Sequence, residues 1–207
     1  MEADDPGKLI VFEGLDGSGT TTQSGLLADY LEGKGFSVTE VEEPGGTGLG
    51  REVRNLLLED RGIKIEPLSE LLLYEVSRSQ LVREKIIPGL EEGKVIISDR
   101  FAISSVAYQG YGRGIPIDRV KSLNEVALDG VVPDLTFFLD IDLEEREKRT
   151  LDQEPDRIEK EELEFYNRVR RGYLTEIKNT SDAVVIDGSL SKEEISSKVN
   201  SMVDKII

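Results

Sequence analysis

The chain has 207 residues with no Cys and no His, and 42 acidic against 26 basic residues give it a formal net charge of −16. Without Cys it can form no disulfide, thiolate metal site or Cys nucleophile, and without His its acid–base chemistry must use carboxylates, Lys, Tyr or the substrate itself. So acidic a surface repels nucleic acid and anionic membranes, and a polyanionic ligand would need a local island of well-placed arginines.

In chain order, residues 1–7 are a short acidic stretch unlike a signal peptide, expected to form a flexible tail. No apolar run approaches the roughly 18 residues of a membrane span, so the cytoplasm is the expected location. Residues 8–12 are an apolar run ending in a Gly-rich turn, and residues 20–32 carry Leu26, Leu27, Tyr30 and Leu31 at helical spacing before Gly33 and Gly35. Residues 37–41 read as a second strand, 49–58 and 68–90 as helices, and 95–97 as a buried strand. A strand at 135–141 follows, then charged helices at 144–149 and 160–178 around a polar insert, a strand at 183–186 and a helix at 192–203. Five apolar strands alternating with helices predict one α/β domain over residues 1–207, a five-stranded parallel sheet with helices on both faces.

The first strand runs into Gly14, Leu15, Asp16, Gly17, Ser18, Gly19, Thr20, Thr21 and Thr22, which open directly into a helix. Glycines there let backbone N–H groups turn onto phosphates, and the helix N-terminus adds the positive end of a dipole. The phosphate-loop pattern is G-x-x-x-x-G-K-[ST]; Gly14, Gly19 and Thr21 fit it, but Thr20 stands where the Lys belongs. The backbone cradle and a hydroxyl at Thr21 for Mg²⁺ remain. Read alone, the segment also fits a Gly-rich strand–helix turn with no ligand.

Asp99 and Arg100 end a buried strand, which puts a carboxylate and a guanidinium at the carboxyl edge of the sheet, where open α/β sheets bind ligands. Asp99 can hold Mg²⁺ through water and Arg100 can grip a phosphate bidentately, or the two can form a buried ion pair. Tyr74 and Arg78 lie four apart on one helix, where a ring and a guanidinium could stack on a pyrimidine and donate to its exocyclic oxygen. The same pair also fits a core Tyr or a surface cation–π contact. Ser105 and Gln109, again four apart, could read a pyrimidine's polar edge or face solvent.

The segment from Asp99 to Gly114 resembles DR[YF]xxSxxAYQGxGRG, the signature of thymidylate kinases. Glu43 to Thr47 resembles that family's EPGGT, and Leu72 to Gln80 its LLFAADRAQ helix. Asp156 to Glu159 is similar to DRFE after the lid, and Arg168 to Tyr173 to RVRxGY. These matches fall in order over nearly the whole chain.

The resemblance implies a P-loop nucleoside-monophosphate kinase fold with a lid at about 146–158, and transfer of the ATP γ-phosphoryl group to dTMP with Mg²⁺. The alternatives to that reading are a kinase of another pyrimidine monophosphate and a catalytically weakened nucleotide-binding homologue that lost its loop Lys. The implied roles put ATP on Gly14 to Thr22 and Mg²⁺ on Thr21 and Asp99. They put the acceptor phosphate on Arg100 and Arg54, and the base on Tyr74, Arg78, Ser105 and Gln109. Tyr108 would crowd the 2′ position, and Asp16 would lie near the 3′-hydroxyl and the reacting phosphates. The transition-state cation would be Arg149, with Arg146 and Arg157 in reserve. The family is typically a homodimer. Glu42 stands where an Arg often precedes EPGG, and the lid lacks the family's common glycines.

Overall fold

The computed structural model describes residues 7–152 and 154–207. Five parallel strands form one sheet in the order β2-β3-β1-β4-β5. They are β1 (Lys8–Gly14), β2 (Val38–Glu42), β3 (Val95–Asp99), β4 (Leu135–Asp140) and β5 (Ala183–Asp187). In central β1 successive side chains point to opposite faces, and both faces are buried. Ile10 and Phe12 pack with Leu27 and Leu31 of α1 (Thr20–Gly33) and with Ile195 and Val199 of α9 (Lys192–Val203). Leu9 and Val11 pack on the other face with Leu81, Val82 and Ile86. Fully burying each such side chain is worth about 1.5–3 kcal/mol, so a charge in the middle of this strand would need partners.

The expected helix at 68–90 is continuous but not uniform. It begins as α3 (Pro67–Leu81), widens into a π segment at Val82–Ile86, and ends as α4 (Ile87–Glu91). Pro88 supplies no N–H for an i→i−4 bond, and the chain meets it with an i→i−5 bond from Ile87 N to Val82 O. A second π segment, Val106–Gly112, continues α5 (Ala102–Ser105), so the helix expected after Arg100 is wider than an α-helix. One helix was not anticipated: α6 (Ile117–Leu128), which buries Val120, Asn124 and Ala127. Its apolar spacing is readable in retrospect but is diluted by five charged residues between 118 and 129.

The remaining helices are α2 (Gly48–Leu58), α7 (Leu143–Thr150) and α8 (Leu163–Lys178), the last starting three residues later than expected. Of the expected flexible tail, residues 1–6 lie outside the described residues. Gly7 is anchored, its N–H donating to Leu90 O at 3.1 Å. Among the described residues no helix is long and apolar enough to cross a membrane.

Candidate active site

The loops after β1 and β3 meet at the carboxyl edge of the sheet and floor a cleft of about 540 Å³. After β1 the chain turns tightly. Gly17 and Gly19 have φ of 80° and 96°, in the left-handed region that favours glycine. A Cβ on Gly14 would lie 2.2 Å from Ser18 Oγ, so only glycine lets the loop close. Ser18 N–H donates back to Leu15 O at 3.0 Å, and the Leu15 side chain packs in the core with Tyr108 and Phe138. Gly19 caps α1 without a side-chain hydrogen bond, which leaves the first-turn N–H groups of Thr20, Thr21 and Thr22 directed at the cleft. The Thr20 side chain is buried and uncharged.

Beyond that loop, Thr21 Oγ1 donates to Asp99 Oδ2 at 2.5 Å, while Asp99 Oδ1 is buried with no hydrogen-bond donor among the described residues. Arg100 follows with φ of 73°, a left-handed conformation that costs a non-glycine residue about 1–2 kcal/mol. It is held on both sides: its N–H donates to Phe12 O at 2.8 Å, and its carbonyl accepts from Ser98 Oγ at 2.7 Å. The strained turn swings the guanidinium back over the loop. There it donates to Gly14 O, to Asp16 Oδ1 at 2.8 Å and to Tyr173 Oη at 3.1 Å. The other Asp16 oxygen accepts from Tyr108 Oη at 3.1 Å.

Helix α7 lies against the same loop. Arg149 reaches from it, donating from Nη1 to Gly17 O at 3.3 Å and from Nη2 to Gly188 O at 2.9 Å, with Nε on Glu145 at 2.8 Å. Its guanidinium therefore lines the cleft beside the bare α1 N-terminus. The two reserve arginines sit elsewhere. Arg146 is buried, its guanidinium 3.6 Å from the centre of the Tyr166 ring. Arg157 donates to Leu57 O and to Glu70, both at 2.6 Å. Neither lines the cleft.

The far end of the cleft holds Tyr74, Arg78, Ser105, Tyr108 and Gln109 together, the grouping the resemblance implies. Burial pushes the phenols of Tyr74 and Tyr108 well above their ordinary range, so both are neutral donors. Arg78 is 1 % exposed and heavily engaged: Nη1 on Glu75 at 2.8 Å and Asn124 at 2.5 Å, Nη2 on Ser105 Oγ at 2.9 Å and Phe101 O at 3.2 Å. Its Nε also lies 2.6 Å from Glu43, but off the hydrogen-bond line. Despite that cation, burial pushes the Glu43 carboxyl up to about 8, with the neighbouring Glu75 and Glu13 adding to the rise. Two buried carboxyls thus share one guanidinium, and Glu43 is mostly protonated at neutral pH.

Arg54 also reaches the cleft, donating to Pro44 O at 2.7 Å and lying 3.5 Å from Glu42, the carboxylate that replaces an expected Arg.

Sequence reasoning assigned no role to Glu13. It ends the apolar run of β1, is wholly buried, and accepts from Ser104 Oγ at 2.5 Å and from the N–H groups of Phe101 and Ser104 at 3.1 and 3.2 Å. Burial raises its pKa against those donors and Arg100. Its place within an apolar strand was the available signal. Of the expected loop residues, Gly14, Leu15 and Ser18 shape the turn from below and do not line the cleft.

The sequence matches the profile of the thymidylate kinase family over residues 12–199. It is 45 % identical over 202 residues to a thymidylate kinase from Thermoanaerobacter sp. (strain X514), covering 97 % of this chain and 99 % of the relative. It is 48 % identical over 183 residues to one from Caldanaerobacter subterraneus subsp. tengcongensis, covering 88 % of each chain. The crystal structure of thymidylate kinase from Ehrlichia chaffeensis superposes with a TM-score of 0.79 at 36 % identity, covering 97 % of this chain and 99 % of that one.

Proposed function

The chain belongs to the thymidylate kinase family, phosphotransferases that convert dTMP to dTDP with ATP as co-substrate, and we propose the following division of its cleft. The triphosphate lies on the open N–H groups of Thr20 to Thr22, with Arg149 supplying the cation that Thr20 lacks. The dTMP phosphate lies between Arg100 and Arg54, and the base between Tyr74 and the Arg78, Ser105 and Gln109 edge. The observation that carries this reading is the apposition of Arg100 to the phosphate loop through Gly14 O and Asp16. It brings an anion-gripping fork within reach of both phosphate sites. We read the chain as one catalytic unit with its lid at about 146–158, and the need for ATP supports a cytoplasmic location.

Phosphoryl transfer asks for positioning and charge stabilisation more than for proton chemistry, so the absence of His is no obstacle. Arg100 orients the acceptor oxygens for in-line attack, Asp16 restrains Arg100 and Tyr108, and a closed lid excludes water. Mg²⁺ fits Thr21 and Asp99: a hydroxyl and a carboxylate lie side by side, and the second carboxylate oxygen is buried without a donor among the described residues. When bound, the ion would neutralise charge on the phosphates.

With a panel of pyrimidine monophosphates, kcat/KM for dTMP is expected to exceed that for dCMP by about 10² or more, because cytosine turns a donor and an acceptor the wrong way at this edge. Equal turnover of the two would refute the base-site assignment. Tyr108, whose hydroxyl is tied to Asp16, is read as the group crowding the 2′ position. Tyr108→Ala should then narrow the preference for dTMP over its ribose counterpart, measured as a kcat/KM ratio; an unchanged ratio removes that role.

A homodimer is supported by α3, which exposes Leu68, Leu72 and Val76 at intervals of four, each 44 % exposed. Leu72→Glu is expected to shift the mass measured by light scattering from dimer to monomer, and a monomeric parent protein would contradict this.

A further inference from the structure

Glu70 lies in the first turn of α3, 1 % exposed, where no sequence pattern marked it. Its Oε1 accepts from Gln109 Nε2 and Arg113 Nε, both at 3.0 Å. Its Oε2 accepts from Arg157 Nη2 at 2.6 Å and Arg113 Nη2 at 3.3 Å. Burial alone would raise its pKa, but the bonds and charge of Arg113, then the Gln109 and Arg157 bonds, outweigh burial and hold the carboxyl below its ordinary range. It is therefore an ionised, acceptor-only group.

This fixes the polarity of Gln109. Only the amide NH₂ can face a carboxylate, so the amide oxygen turns the other way, on a side chain that lines the cleft. Among the described residues no hydrogen bond engages that oxygen. We infer that Glu70 is a positioning residue for base selection: it presents the Gln109 amide oxygen to a pyrimidine that carries N3–H, and so disfavours cytosine, whose N3 is a lone pair. Arg113 and Arg157 keep the carboxylate ionised, the condition for that polarity. The inference rests on the reading that the base lies against Gln109.

The test is kcat/KM for dTMP and for dCMP in the parent enzyme, Glu70→Gln, Gln109→Met and the double variant. Glu70→Gln lets the facing amide offer either end, so the dTMP/dCMP ratio should fall by about tenfold or more while KM for ATP stays within about twofold. The double variant should show no further loss of ratio beyond Gln109→Met. A folded Glu70→Gln enzyme with an unchanged ratio overturns the inference. A Gln109→Met enzyme with unchanged ratio and dTMP KM overturns it too, by removing the base-site reading beneath it. Should Glu70→Gln not fold, the parent enzyme still decides. The 3-deaza analogue of dUMP, which has C–H in place of N3–H, should bind about tenfold weaker than dUMP by calorimetry, and equal binding overturns the inference.

Discussion

Replacing Arg149 by Ala is expected to lower kcat for dTMP by about 10² or more while changing dTMP affinity little. In a P-loop enzyme the loop Lys offsets charge on the β/γ-phosphates as the bond breaks, and removing one well-aimed donor typically costs about 3 kcal/mol. Thr20 is short, neutral and buried. Arg149 already rests on the loop through Gly17 O, so the compensating cation need not cross the cleft. Glu145 and Gly188 O hold it there. Because both cations would serve the same charge, Thr20→Lys should partly restore turnover to Arg149→Ala. Steady-state kinetics of the two single variants and the double variant check this. Near-normal turnover in Arg149→Ala, and equally in Arg146→Ala and Arg157→Ala, would remove lid-side compensation from the account.

Arg100→Ala should be as severe, lowering kcat/KM for dTMP by about 10²–10³ through loss of a charge-assisted fork on the acceptor phosphate. The backbone supports a functional reading of this residue. A non-glycine held at φ of 73° carries strain that persists only where surrounding bonds over-determine it, and such residues cluster at sites of chemistry. Arg100→Lys should recover only part of the loss, since an ammonium cannot match two phosphate oxygens at once. Measured kcat/KM within about fivefold of the parent in Arg100→Ala would show that the acceptor phosphate is held elsewhere.

The apolar runs announced β1, β3 and β4, because a strand buried on both faces carries little but Val, Ile, Leu and Phe. By contrast, β2 and β5 are partly exposed edge strands, and β2 interleaves Val with polar residues. The Gly-rich turn into α1 and its Thr20 in place of Lys were equally plain, since glycines at fixed offsets let the backbone close tightly ahead of a helix. The π segments were not legible: a change from i→i−4 to i→i−5 bonding leaves the apolar pattern almost intact, and only Pro88 hinted at one. Arg146 and Arg157 looked like lid cations and prove to be packed on Tyr166 and on Glu70, a distinction set by neighbours remote in sequence. For the same reason nothing in the sequence marks Glu43, Glu70 and Glu75 as buried carboxylates gathered around Arg78 and Arg113.

Steady-state turnover of dTMP by the unmodified chain with ATP and Mg²⁺, set beside its Thr20→Lys variant, tests the central claim most directly: a full dTMP kinase whose loop cation comes from Arg149. The account predicts a parent kcat in the range of about 1–100 s⁻¹ common to kinases, raised less than about threefold by Thr20→Lys. A parent kcat about 10² below that range, restored by Thr20→Lys alone, would contradict it.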